Sequence, residues 1–152
     1  MINKVTLLFA LVLFFSVSCS DTSKKKASEK AYQSLKSTPV DPMQDKGIGP
    51  IKSLDLPATI DQPMVEKGAE IFQAKCSACH KVGKRFIGPS PNGILNKRTP
   101  EWIMNMILNP EEMVQKNEAA KKLLAEYLSP MANQNLTVDE ARAILEYFRT
   151  LE

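Results

Sequence analysis

The chain is 152 residues long, enough for one domain with some flanking sequence. Its formal charge of +3 is placed unevenly: residues 1–59 hold eight lysines against five acids, whereas residues 60–152 hold twelve basic and twelve acidic groups. A neutral second part gives nucleic-acid binding no electrostatic support.

In chain order, Met1-Ile2-Asn3-Lys4 carries a positive charge and precedes an apolar run from Val5 to Val17, interrupted by Thr6 and Ser16. This reads as an export signal over residues 1–18, too short for a spanning helix. An uncleaved membrane anchor is the other reading. The run closes on Ser18 and Cys19. That placement resembles the lipobox of bacterial lipoproteins, in which the signal is cut before a cysteine that is then lipidated. Ser16 stands where that pattern usually has leucine, while Phe15 and Val17 keep the region apolar. The resemblance implies a lipid anchor at Cys19 with two or more acyl chains, which hold a membrane stably where one does so only marginally. The protein is then expected in the bacterial periplasm or cell envelope, membrane-anchored.

Residues 19–59 read as a flexible linker, being rich in Ser, Lys, Asp, Thr and Pro and poor in large apolar residues to Pro57. As a coil this tether would span roughly 35 Å. The Lys24-Lys25-Lys26 cluster suits a solvated linker, or contact with anionic headgroups. The stretch Gly47-Ile48-Gly49-Pro50-Ile51 is more apolar, and its packing onto the domain would move the boundary towards Gly47. Residues 60–152 form the domain.

Asp61-Gln62-Pro63 signals a helix start, and Met64 to about Lys75 reads as the first helix, with Gly68 and Phe72 on one face. Cys76-Ser77-Ala78-Cys79-His80 follows. A C-x-x-C-H run is the attachment signature of c-type haem: two thiols bond one porphyrin, and the adjacent imidazole ligates the iron. The chain has three cysteines and one histidine, and that histidine occupies the position the motif demands. Two other readings remain. A zinc site would have to recruit Cys19 across a long polar stretch. A redox dithiol expects a βαβ context, whereas the flanks here read helical.

Lys81 to Asn96 is rich in Gly and Pro and reads as loop. Lys75, Lys81, Lys84 and Arg85 flank the motif and form either a docking rim or a solvated charged face. Thr99 caps a second helix with Pro100 first and Glu101 in its first turn; it holds Trp102, Ile103, Met106 and Ile107. Asn109-Pro110 repeats that start, and a third helix runs to about Tyr127. Leu128 to Asn135 is loop. Thr137 and Glu140 form a capping box for a last helix with Ala141, Ile144, Leu145 and Phe148 on its apolar face. No strand is expected. The domain is all-α, four or so helices around one covalent haem, whose apolar mass supplements a core that is marginal at about 90 residues.

An electron carrier wants two protein ligands on its iron. His80 is the sole histidine, so a methionine is the expected second ligand. Met104, Met106 and Met113 fall in helices, where a thioether is more often core filler. Met131 follows Pro130 in a loop able to wrap the haem. Haem with one protein ligand, and Met131 merely packed, is the alternative.

From Asp61 to Glu152 the chain resembles a class I cytochrome c. The resemblance rests on the Gly68–Phe72 helix, Cys76-Cys79-His80, Gly88-Pro89, Pro130-Met131 and the ending Glu146-Tyr147-Phe148. It implies that the first and last helices cross at Gly68, with Tyr147 as the aromatic against it. It also implies that the Pro89 carbonyl accepts the His80 ring N–H, although Gly88-Pro89 is also readable as an ordinary turn. Trp102 fits a place near the haem propionates or in the core.

The runs Arg98–Met104, Asn109–Met113 and Met131–Leu136 further resemble monohaem cytochromes linked to bacterial nitrous-oxide respiration. The expected function is therefore electron transfer, not catalysis. One haem c would be ligated by His80 and Met131 (metal: His80, Met131) and held by Cys76, Cys79 and Pro89. The partners implied are redox proteins, a respiratory donor and a terminal reductase or oxidase, and a membrane through Cys19. A monomer is expected. The competing classes are a ligand-binding or sensor haem with an open iron site, and a peroxidase-like enzyme, for which no distal histidine exists.

Overall fold

A computed structural model describes residues 40–151 of the chain. The expectations for the export signal, Cys19 and the lysine cluster lie outside the described residues. Among those residues no helix is long and apolar enough to cross a membrane.

Five α-helices occupy the described part: α1 (Gln62–Ile71), α2 (Pro100–Leu108), α3 (Pro110–Lys116), α4 (Glu118–Tyr127) and α5 (Val138–Phe148). Asp61 caps α1 by accepting the Met64 N–H at 3.0 Å. The helix does not stop at Ile71 but widens into a π-helical turn over Phe72–Cys76, so the expected run to Lys75 is continuous but changes pitch. Of the stretch expected to be loop, Ile94–Asn96 forms a short 3-10 turn.

Thr99 caps α2, accepting the Trp102 N–H, and six of that helix's nine residues are buried. The single helix expected from Pro110 to Tyr127 is two. Asn117 is extended (φ −95°, ψ 123°), and its side chain is the reason. Its Oδ1 accepts N–H groups from Ala120 and from the Trp102 indole, while its Nδ2 donates to both Asp45 oxygens. Those bonds favour a cap over a helix interior. Asn109 does not cap α3 through its side chain as expected; its Nδ2 donates instead to Ile48 O and Glu112 Oε2. The capping box of α5 is present as read, with Thr137 and Glu140 bonded reciprocally.

Helices α1 and α5 cross at Gly68, where a Cβ would overlap the Ala143 carbonyl. Tyr147 of α5 packs on Phe72, ring centroids 5.6 Å apart, and Phe148 meets the same ring edge-on at 5.7 Å. The core joins Trp102, Ile103, Met104 and Ile107 of α2 to Met113, Ala120, Ala141, Ile144 and Leu145.

A flexible linker reaching residue 59 does not describe residues 45–56, which are strapped onto α2. Asn105, 1% exposed, donates to Lys46 O and Ile51 O and accepts from Ile51 N. Thr99 donates to Asp45 O, and Glu101 accepts from Leu54 N and pairs with Lys46 at 3.1 Å. These buried polar side chains take up the backbone groups that a coil would leave to water. The boundary therefore lies before Gly47. Beyond the strap, the fully buried Glu146 accepts Asp61 N–H and pairs with Arg142 and Arg149, and Arg149 reaches the carbonyls of Pro57 and Ala58.

Candidate functional site

One apolar cavity, with about 1260 Å³ of empty space partly open to solvent, lies among the helices. Cys76, Cys79, His80, Pro89 and Met131 all line it, so the fold gathers every candidate from residues 40–151 at one place. The rest of the wall is mainly hydrocarbon and aromatic, from Phe72, Trp102, Ile107, Leu123, Leu124 and Phe148 among others.

The cysteine motif follows directly from the π-helical turn. A tight turn closes it, with Cys79 N and His80 N both donating to Cys76 O at 3.0 and 2.9 Å. The two cysteines are not joined in a disulfide. Burial pushes the Cys76 thiol up from its ordinary pKa, against the lowering pull of Lys75. Among the described residues no group of three or more His, Cys, Asp or Glu side chains could hold a metal ion; the zinc alternative, which needs Cys19, reaches outside them.

His80 is fixed from two directions. Its Nδ1 stands 2.8 Å from the Pro89 carbonyl, so it is the protonated nitrogen and donates to that oxygen. The Nε2 lone pair is thereby left for a metal, and the bond orients the ring and strengthens it as a donor. Gly88 lies against the same ring: a Cβ there would come within 2.5 Å of His80 Cε1. Gly88 N in turn donates to Cys79 O at 2.8 Å, tying the Gly-Pro pair back to the motif.

The methionines separate cleanly. Met104 and Met113 are fully buried in the core, and Met113 Sδ accepts the Ile48 N–H. Met106, on α2, and Met131, in the loop after α4, border the cavity. Two sulfur nucleophiles, an oriented imidazole, a thioether and apolar walls are the donor set and shape that one covalent haem requires.

Of the flanking cations, Arg85 is not a free rim charge. It pairs with Glu126 Oε1 at 2.7 Å, donates to Glu126 O at 3.0 Å and stacks on Tyr127 at 4.1 Å. Lys81 lies 5.3 Å from the Phe86 ring. Trp102 is both core and cavity wall, 3% exposed, with its indole N–H bonded to Asn117. Sequence reasoning missed Val114, Leu123, Leu124 and Tyr127 as cavity residues. Their helical spacing was the available signal, and it marks an apolar face without saying what the face covers.

A family model described as Cytochrome c matches residues 65–152. Among solved structures, the chain is similar to a cytochrome c from Rhodothermus marinus at 40% identity and a TM-score of 0.66, covering 68% of this chain and 89% of that one. An engineered cytochrome c from the same organism, Rma TDE, matches at 39% identity and TM-score 0.66, covering 68% and 90%. The engineered protein bound to a carbene intermediate matches at 40% identity and TM-score 0.63, covering 68% and 89%.

Proposed function

The chain belongs to the cytochrome c family, as a class I monohaem electron carrier with a covalently attached c-type haem, and from that premise we propose that His80 and Met131 are the two ligands of its iron. The observation that carries this reading is the convergence of Cys76, Cys79, His80 and Met131 on one apolar cavity, with His80 Nδ1 on the Pro89 carbonyl.

Cys76 and Cys79, both on the cavity wall, would hold the haem by thioether bonds. The haem supplies a one-electron couple between ferric and ferrous iron. Pro89 and Gly88 keep the His80 ring from turning, which would hold that ligand in one orientation through a change of oxidation state. The mostly apolar walls would limit water at the iron, and a thioether ligand would raise the potential relative to two histidines. Lys75, Lys81 and Lys84 are the cations left to guide a partner, Arg85 being held by Glu126 and Tyr127.

The lipid anchor at Cys19 and the place in the envelope are part of the same proposal. They are supported by the apolar run Val5–Val17 and by the position of the cysteine behind it. The role as a respiratory donor is supported by the likeness of the runs Arg98–Met104, Asn109–Met113 and Met131–Leu136 to monohaem cytochromes linked to nitrous-oxide respiration, and nitrous-oxide reductase is the acceptor we propose.

Mixing the ferrous holoprotein with carbon monoxide tests the ligation. A six-coordinate carrier binds the gas slowly and incompletely at neutral pH. Rapid, complete binding would mean an open iron site, and would move the protein to the sensor class.

A further inference from the structure

Arg85 makes more contacts than a surface charge needs. It lies five residues after His80, in a segment tied to the motif through Phe86 N→Gly88 O and Gly88 N→Cys79 O. Its guanidinium donates to both the carboxylate and the backbone carbonyl of Glu126 and stacks on Tyr127. Glu126 and Tyr127 are the last turn of α4. The next residue, Leu128, ends the helix in the left-handed region (φ 54°) and begins the loop that carries Met131.

Hydrogen bonds add little hold to that loop, which otherwise rests on the packing of Met131 and Leu136 against the core. Among the described residues, the hydrogen bonds of 129–136 stay inside the loop: Gln134 to Ala132 O, and Asn135 N to Asn133. The root of the loop is therefore fastened to the His80 segment at Arg85.

We propose that Arg85 is a positioning residue, a clasp that joins the root of the Met131 loop to the segment bearing His80 and sets how often that loop opens. The effect at the iron rests on the His80–Met131 reading; the effect on the loop does not. A planar guanidinium suits the task, because it can bond a carboxylate and a carbonyl while lying flat on a ring. Lysine keeps the charge but loses the fork and most of the stacking.

The test uses the holoprotein with wild-type, Arg85→Gln, Arg85→Lys and Glu126→Gln chains. Amide hydrogen exchange is followed at Leu128 and Asn135, the loop amides that donate hydrogen bonds, and in α1 and α5, together with the rate of carbon monoxide binding to the ferrous form. In Arg85→Gln, exchange of the loop and carbon monoxide binding are both expected to quicken by roughly three- to thirty-fold, the range for one exposed ion pair plus one exposed cation–π contact. Arg85→Lys should fall between Arg85→Gln and wild type, and Glu126→Gln should show the smaller loss of the ion pair alone. Exchange in α1 and α5 should not change. Unchanged loop exchange in both Arg85→Gln and Glu126→Gln would overturn the clasp, as would an equal rise in α1 and α5, which would mark general destabilisation. Faster loop exchange with an unchanged carbon monoxide rate would uphold the clasp and instead overturn Met131 as the barrier at the iron.

Discussion

At the scale of single residues, one close fit holds the site and one buried carboxylate holds the fold. Gly88 is the first. A methyl group there meets the His80 ring at 2.5 Å from Cε1 and 2.9 Å from Nδ1. Gly88→Ala should force the ring off the Pro89 carbonyl, at about 1–3 kcal/mol for overpacking. The expected result is a lower midpoint of thermal unfolding and a shifted reduction potential, read by circular dichroism and by potentiometry. An unaltered potential would show that the ring tolerates the shift. Glu146 is the second. Burial pushes its carboxyl up, but Asp61 N–H, Arg142 and Arg149 outweigh that and hold it below the ordinary range. A carboxylate lowered in the folded state stabilises it above the unfolded pKa, about 4.3, and the gain is lost as pH falls through the folded value. The melting temperature should therefore be level near neutral pH and fall below about pH 4.3. Glu146→Gln should start lower and show a shallower acid limb; an identical acid limb would remove Glu146 from the account.

At the scale of elements, the crossing of α1 and α5 sets where the cavity can form. It brings Phe72, at the start of the π-helical turn, against Tyr147 and Phe148. Gly68→Ala would drive a methyl group into the Ala143 carbonyl, so the helices must separate. Denaturant unfolding should show a loss of at least about 2 kcal/mol, whereas Ala69→Gly, one residue on, should cost about 1 kcal/mol as an ordinary helix substitution. Equal losses would mean that the crossing is not tight. The same elements show what a sequence can reveal. Asp61, Thr99 and Thr137 were legible as caps because a cap is decided by its own few neighbours. The break at Asn117 was not, since its cause is Asp45, distant in sequence, together with the Trp102 indole. Asn109 was misread for the same reason: its amide is taken by Ile48 O.

At the scale of the whole molecule, the local motif and the long-range contacts divide the work. Cys76, Cys79 and His80 were readable as a unit, because covalent haem attachment needs those groups at that spacing and nothing further away. Met131 is legible because the single histidine leaves a methionine as second ligand and Met104, Met106 and Met113 fall in helices; the fold puts Met131 and Met106 at the cavity. The strap at residues 45–56 was visible only as a faintly apolar stretch around Gly47. Its attachment depends on Asn105 and Glu101, polar residues buried in α2, where composition alone gives no warning of a partner. Arg85 likewise read as one cation among four, and its contacts with Glu126 and Tyr127 exist only in three dimensions.

The most direct measurement of the central assignment is the visible and near-infrared spectrum of the ferric holoprotein, taken for the wild type and for Met131→Ala. The wild type should be low-spin and show the sulfur-to-iron charge-transfer band. Met131→Ala should lose the band, while Met104, Met106 and Met113 substitutions should keep it. A band that persists in Met131→Ala, or a wild type that is high-spin without it, would contradict His80–Met131 ligation.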